Sequence, residues 1–179
     1  MDDPHYPDYS VRPAELSDVP VILSIYRDAR AFMRENGNPD QWGSFYPPDS
    51  MILEDVRLGN SYVVALGDEI CGVFCLFEGE DPCYDVIDDG KWLSDSPYST
   101  VHRIAAKRGR KGILKAACDF ALSKCSHIRA DTHKDNIPMQ KALSKYGFRH
   151  CGTVYVRDRS PRLAFEYTGE ENSPPSLTL

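Results

Sequence analysis

The sequence lacks any long apolar run. Its apolar stretches, such as Val19–Ile25 and Tyr62–Leu66, fall far short of the ~18–20 residues that cross a bilayer, so no membrane partner is expected. It also lacks a basic, apolar leader: it opens on MDDPHYPDYS, acidic and proline-bearing, so export is not expected and a cytoplasmic location is. Basic excess is missing too. Lys and Arg number 21 against 27 Asp and Glu, giving a net charge of −6 and a pI of 5.3, which speaks against a nucleic-acid partner. Cysteine is not scarce, but metal spacing is. Cys71 and Cys75 could form half a zinc site, yet no second pair follows at finger spacing. Cys71, Cys75, Cys118 and Cys125 sit in apolar contexts where a free thiol packs as a small hydrophobe. With Cys83 and Cys151 they are expected to stay reduced, with no metal.

What remains is ordinary globular material. A chain of 179 residues, 41% apolar and 27% charged, has the size and composition of one soluble domain. We expect a single domain over residues 1–168, its first nine residues a short arm, with a polar, proline-bearing tail over 169–179 expected to be disordered.

Periodicity and punctuation order the elements. A short strand over Tyr9–Ala14 precedes an N-cap at Ser17-Asp18 and a helix whose stripe is Ile22, Ile25, Tyr26, Ala29 and Met33. Residues 37–49 form a loop holding Trp42, Phe45 and Tyr46, and Ser50 is expected to cap a second helix closed by Gly59. Ser61–Leu66 and Ile70–Phe77 form a hairpin. Residues 78–97 are acidic and irregular. A strand over Thr100–Ala106 runs through KRGRKG into a helix from Gly112 to Cys125. Strand His127–Thr132, helix Ile137–Tyr146 capped by Asn136 and stopped by Gly147, strand Phe148–Val156 and strand Arg162–Tyr167 complete the chain. The order β-α-α-β-β-β-α-β-α-β-β implies an α/β fold, a mixed sheet covered by helices.

The chemistry concentrates between Val101 and Cys118. That stretch has no acidic residue but holds Arg103, Lys107, Arg108, Arg110, Lys111 and Lys115, a local reversal of sign. It lies where a strand ends, Gly109 and Gly112 make a turn and a helix begins. Helix N-termini offer unpaired N–H groups and a positive dipole end, and glycine lets an anion approach the backbone. A pyrophosphate suits such a site. The pattern is neither a Walker A loop nor GxGxxG, and a plain solvated helix start would carry the same residues.

The arrangement resembles the GCN5-related N-acetyltransferase (GNAT) family, in particular a branch of bacterial members. The family's pyrophosphate loop, R/Q-x-x-G-x-G/A, falls on Gly109-Arg110-Lys111-Gly112-Ile113-Leu114, with Gly112 the matching glycine. Its later pattern, N-x2-A-x2-L-Y-x3-G-F, falls on Asn136, Met139, Ala142, Leu143, Gly147 and Phe148 with the spacing kept. The resemblance covers about residues 10–167 and implies a mostly antiparallel sheet flanked by helices, with acetyl-CoA as co-substrate. It implies that the backbone of Ile104, Ala105 and Ala106 pairs with the pantetheine arm. The amides of Gly109 to Leu114 would hold the pyrophosphate, Arg110 and Lys111 would add charge, and Asn136 and Met139 would lie beside the arm.

Acetyl transfer to an amine requires a base, a stabilised oxyanion and a protonated leaving thiolate. The tyrosine that supplies the last proton in many members is replaced here by Leu143. Tyr155 is a substitute, and Tyr146 fits the core stripe better. For the base we choose His102, on the strand that meets the acetyl group, since imidazole changes protonation near neutral pH. Glu78 and His133, beside Asp131, are rivals. Trp42 and Tyr46, with His133, are candidate walls for the acceptor, expected to be a primary amine of a small molecule or peptide. The acidic segment 78–97 either steers a cation or merely solubilises. A homodimer stays open. The alternative to an enzyme is an acyl-CoA-binding sensor or partner domain with a degenerate site.

Overall fold

The computed structural model describes residues 6–169. Most of the expected N-terminal arm and nearly all of the tail, residues 1–5 and 170–179, lie outside the described residues. The elements follow the inferred order: β1 (Ser10–Pro13), α1 (Val19–Glu35), α2 (Asp49–Arg57), β2 (Ser61–Leu66), β3 (Glu69–Glu78), β4 (Ser99–Ala106), α3 (Ile113–Leu122), β5 (Ile128–Thr132), α4 (Ile137–Tyr146), β6 (Arg149–Tyr155) and β7 (Pro161–Tyr167). Short 3-10 turns at Leu16–Asp18 and Pro82–Tyr84 are added.

One cap differs from expectation. Ser50 lies inside the first turn of α2, which opens at Asp49 from an extended Pro48. The Pro48 carbonyl accepts the amides of Met51 at 3.0 Å and Ile52 at 3.2 Å, so the fixed proline dihedral starts the helix without a side-chain cap. Asp18 does stand at the N-cap of α1, but its carboxylate bonds Arg12 at 2.7 Å and the Glu15 amide at 2.8 Å instead of the helix.

The sheet order is β1-β2-β3-β4-β5-β7-β6. All pairs are antiparallel except β4 with β5. On the front face, α1 turns Ile22, Ile25 and Tyr26 against Ile52 of α2 and against Val63, Val73 and Ala105 of the sheet. These positions recur at helical spacing, and each such side chain contributes roughly 1.5–3 kcal/mol by burial. On the back, α3 and α4 pack Ala117, Ala121 and Leu143 on Val64, Phe74, Leu76 and Ile128. Small residues let α3 lie close. A Cβ on Gly72 of β3 would stand 2.5 Å from Ile113 Cγ2, so this glycine sets the first residue of α3 directly over the sheet.

Among the described residues no α-helix covers the front of β5, β7 and β6. Residues 78–97 cover it as a strap, burying Tyr84 and Tyr98 against Val154 and Ala164. Asp88 and Thr153 of β6 exchange main-chain bonds at 2.8 and 2.9 Å, and the Lys91 amide bonds the Cys151 carbonyl at 2.9 Å. Gly90 permits this approach, since a Cβ there would lie 1.9 Å from that carbonyl oxygen. Returning, the strap gives the Leu93 amide to Glu166 and sets Trp92 and Tyr98 on either side of the Arg129 guanidinium, each ring centre 4.0 Å away. The acidic segment is therefore structural as well as charged.

Candidate active site

β4 and β5 begin as neighbours and then part. Their parallel pairing joins Ser99 to Ile128 and Thr100 to Arg129 and goes no further. From Val101 to Ala106 the β5-facing edge of β4 pairs with no strand among the described residues, while the opposite edge stays bonded to β3 as far as Ala106. The result is a wedge whose wide end points at the turn before α3. Ile104, Ala105 and Ala106 lie along its open edge.

β4 also carries an extra residue. Val73 to Cys75 on β3 spans two steps where Ala105 to His102 on β4 spans three, and Arg103 takes a positive φ of 50°. This bulge resets the alternation, so Val101 faces the back cluster while Ala105 faces the front one. The Tyr26 hydroxyl donates to the freed Arg103 carbonyl at 2.8 Å. The Arg103 guanidinium bonds Asp55 at 2.9 Å and lies over the Phe77 ring at 5.1 Å.

At the wide end Gly109 and Gly112 both take positive φ, 81° and 85°, and Gly112 is the left-handed N-cap of α3. The first amides of α3 thus have no intrahelical acceptor. The cations of the turn are less free than the sequence suggests. Lys107 pairs with Glu69 at 2.6 Å, Arg110 binds the other oxygen of the same Glu69, and Arg108 pairs with Glu35. Lys111 has no carboxylate partner among the described residues; its carbonyl accepts the Tyr9 hydroxyl at 3.0 Å.

The proton-handling candidate sits at the narrow end. His102 Nε2 bonds Asp81 Oδ2 at 2.9 Å, and its Nδ1 stands 3.8 Å from Asp131 Oδ2 on β5, across the split. The Tyr84 hydroxyl donates to that same Asp131 oxygen at 2.7 Å. The rings of Phe77 and Tyr84 flank the imidazole, with centres 5.8 and 6.1 Å away. The hydrogen bond from His102, with help from the Cys83 amide, holds the Asp81 carboxyl down at about 2. Burial, reinforced by Asp131, pushes the Tyr84 phenol well above its ordinary range, so it remains a donor.

The other candidates separate. Strand alternation puts Glu78, opposite Ser99, on the back face with Leu76, away from His102. Tyr155 ends the edge strand β6, and its hydroxyl bonds Asp88 at 3.0 Å. With β5 and β7 lying between, β6 is roughly 14 Å from β4 at ~4.8 Å per strand, so the structure does not bring Tyr155 to His102. His133 Nδ1 accepts the Asp135 amide at 3.2 Å and faces the Asp135 carboxylate at 3.5 Å. It is tied into the β5–α4 turn. Tyr146 bonds Asp119 at 2.7 Å and packs on Phe148 and Tyr167, a core role. Leu143 is buried in the back core.

Asn136 uses both ends of its amide. Its Oδ1 accepts the Met139 amide at 3.2 Å as the cap of α4, and its Nδ2 donates to Gln41 Oε1 at 2.8 Å. Gln41 thereby ties the α1–α2 loop to the mouth of the wedge. In that loop Trp42 is buried edge-on to Tyr26, with ring centres 5.7 Å apart, and Tyr46 leans on Trp42 at 6.3 Å and meets Arg103 at 3.4 Å. Trp42 thus backs Tyr46, which is half-exposed and faces out. Sequence reading missed Asp81, Tyr84 and Gln41; only Asp131 had a signal, its place beside His133.

All six cysteines are unpaired thiols. No group of three or more His, Cys, Asp or Glu side chains is placed to hold a metal among the described residues. No helix among them is long and apolar enough to cross a membrane.

Neither a family sequence profile nor a curated protein matches the chain. Solved structures do. A GNAT-family acetyltransferase from Streptococcus agalactiae superposes with a TM-score of 0.80 at 28% identity, covering 93% of this chain and 99% of that one. The chain has the fold of the GNAT acetyltransferases and is similar to one of them over nearly its whole length. A GNAT acetyltransferase from Listeria monocytogenes shares the fold with a TM-score of 0.63 at 21% identity over 88% of this chain and 93% of that one. So does the aminoglycoside acetyltransferase AAC(6')-Ib in complex with coenzyme A, with a TM-score of 0.63 at 17% identity over 90% and 95%. Within this GNAT fold, the parted strands, the glycine turn and His102 occupy one continuous tract of sheet.

Proposed function

We propose that this GNAT-fold chain transfers an acetyl group from acetyl-CoA to a primary amine of a small molecule or peptide. The observation that carries the reading is the open edge of β4 beyond Thr100, ending at the left-handed glycine cap of α3. An unpaired strand edge bonds an extended, amide-bearing arm as a further strand would, and the α3 amides suit a pyrophosphate. The coenzyme A complex of AAC(6')-Ib in the same fold supports the donor class.

In this reading the backbone of Ile104 to Ala106 binds the arm, and Gly109 to Leu114 hold the phosphates with charge from Arg110 and Lys111. Asn136 and Met139 sit alongside. Acetyl-CoA supplies an acyl group activated as a thioester. His102 accepts the proton of the attacking amine, held in orientation by Asp81. Tyr46 lines the acceptor side, Trp42 braces it from behind, and His133 stands at its α4 margin. Neither Tyr155 nor Leu143 supplies an acid, and a thiolate leaves tolerably well near neutral pH without one. In this reading the described domain acts as one catalytic unit.

The buried Leu143 favours one rival, a domain that binds acyl-CoA without turning it over. An acetyl-CoA-dependent thiol-release screen across amines, amino acids, polyamines and peptides separates the two. Turnover with any amine supports transfer, whereas tight acetyl-CoA binding with no turnover across the panel leaves the sensor. Given turnover, His102→Ala should lower kcat/KM by roughly 10²–10⁴, as for loss of a positioned base, with acetyl-CoA affinity unchanged. Near-normal activity in that variant would remove His102 from the reaction.

A further inference from the structure

Between His102 and Asp131 there is a gap that the fold holds open and does not fill. Nδ1 and Asp131 Oδ2 stand 3.8 Å apart, too far for a hydrogen bond. Each is fixed from behind: the ring by Asp81 on Nε2 at 2.9 Å, the carboxylate by the Tyr84 hydroxyl at 2.7 Å. Because Asp81 is an anion, it accepts, so Nε2 carries the proton and Nδ1 presents a lone pair. Asp131 Oδ1 has no hydrogen-bond partner among the described residues, and the three side chains remain partly open, with 23%, 23% and 9% exposure for His102, Asp81 and Asp131.

We propose that this gap is the acceptor's ammonium site: Asp131 binds the cation, His102 Nδ1 removes its proton, and Asp81 and Tyr84 are positioning residues. The proposal rests on the acetyl-transfer reading above and names its substrate class, a primary amine that arrives charged. An ammonium nitrogen about 2.9 Å from each of Nδ1 and Oδ2 spans the gap from one side, with one N–H to each. One N–H bond then breaks and its proton passes to Nδ1. The freed nitrogen lone pair forms the bond to the thioester carbonyl carbon as the C–S bond breaks, its electron pair leaving on sulfur. The amide nitrogen's surplus proton and the proton on Nδ1 pass to the thiolate and to water, which returns His102 to its starting form. Throughout, the imidazolium lies between Asp81 and Asp131, so the transferred charge is met on both sides without side-chain movement. A neutral acceptor would leave Asp131 uncompensated, and an anionic one would be repelled.

The test uses the full chain labelled with ¹⁵N-histidine, His102 being assigned by its loss in His102→Gln. At about pH 8, where imidazole is ordinarily neutral, the expected spectrum shows Nε2 protonated and Nδ1 bare, and Asp81→Asn should lose that preference. Ethylammonium chloride, exchanged against sodium chloride at constant ionic strength, should shift Nδ1 saturably. Asp131→Asn should weaken that response roughly 10–100-fold, the range for a hydrogen bond to a charged group, and Asp131→Glu should restore part of it. A bare Nε2 in the wild type, the same shift with sodium alone, or an undiminished response in Asp131→Asn overturns the proposal. Calorimetry with acetyl-CoA on the same samples keeps the two readings apart: absent donor binding defeats acetyl transfer, whereas the tautomer and ethylammonium results judge the ammonium site.

Discussion

Replacing Glu166 by alanine removes a carboxylate on which the strap and two strands converge. Glu166 is fully buried. It receives Arg129 Nε at 3.1 Å and His127 Nε2 at 2.5 Å, and it accepts the Leu93 amide of the strap. Its removal leaves the Arg129 charge without a counter-ion and the Leu93 amide without an acceptor. Breaking a buried ion pair from one side costs about 3–5 kcal/mol, and an orphaned amide about 1–3 kcal/mol, though the two share partners and do not add in full. Arg129 keeps the Ser94 carbonyl at 2.7 Å and its two flanking rings, which offsets part of the loss. We expect a net cost of about 4 kcal/mol, which for a domain of this size lowers Tm by roughly 8–16 °C. Urea unfolding followed by circular dichroism and by tryptophan fluorescence, Trp92 lying in the strap, measures it. The sign with pH is also fixed. Burial pushes the Glu166 carboxyl up, but His127, the Leu93 amide and Arg129 outweigh it and hold it below the ordinary range. Its contribution is therefore present above the ordinary glutamate range and disappears as pH falls through and below it. A loss under about 1 kcal/mol, against the range for a one-sided buried pair, or a Glu166→Gln protein as stable as wild type at neutral pH, would refute the account.

Gly112→Glu should weaken acetyl-CoA binding at least about tenfold by calorimetry, because it adds like charge at an anion site; it also places a Cβ 2.8 Å from the Tyr6 ring at a φ of 85°. Unchanged affinity would put the donor elsewhere. Glu69→Gln should have the opposite sign: it releases Lys107 and Arg110 and should tighten coenzyme A binding roughly two- to fivefold at low salt, an advantage that fades as salt screens it. Thiol titration without denaturant should label Cys83 and Cys125 first. Cys71, Cys75, Cys118 and Cys151 are buried, and burial pushes the Cys75 and Cys151 thiols up to about 12. Rapid labelling of all six would contradict that packing.

Element order was legible because it rests on local signals. The stripe Ile22, Ile25, Tyr26 defines α1, and Asn136 with Gly147 brackets α4 whatever surrounds them. What was not legible depends on partners distant in sequence. Residues 78–97 have no periodicity, yet Tyr84 finds Asp131, Leu93 finds Glu166 and Ser96 finds His127. A run of acidic residues read alone cannot show that two of them face a histidine and the far strand. The basic turn misled in the reverse direction. Its charges looked unopposed because Glu35 and Glu69 come from α1 and β3. The bulge at Arg103 had no glycine to announce it, so the faces of β4 could not be assigned by alternation alone. His102 was chosen for its residue type and for the strand that the family resemblance sets against the acetyl group; that it lies two residues beyond the end of the β4–β5 pairing came only from the structure.

The strap's seam with β6 also governs how this protein meets its own copies. An open sheet has two rims, and an unmasked rim is a template on which another polypeptide can crystallise strand by strand. Here one rim is β1, only Ser10–Pro13 long and bearing Arg12 and Pro13; a proline there has no N–H to offer. The other is β6, whose outward groups at Cys151 and Thr153 are already taken by Lys91 and Asp88. Gly90 is the hinge pin of that seal, since any side chain at this position would meet the Cys151 carbonyl and prise the strap away. Substitution there should convert a self-contained sheet into an adhesive one, visible as concentration-dependent aggregation before any loss of helix. A second copy could therefore pair with β6 only after unpicking the strap that guards it, while β1 offers it no more than a four-residue edge interrupted by Pro13.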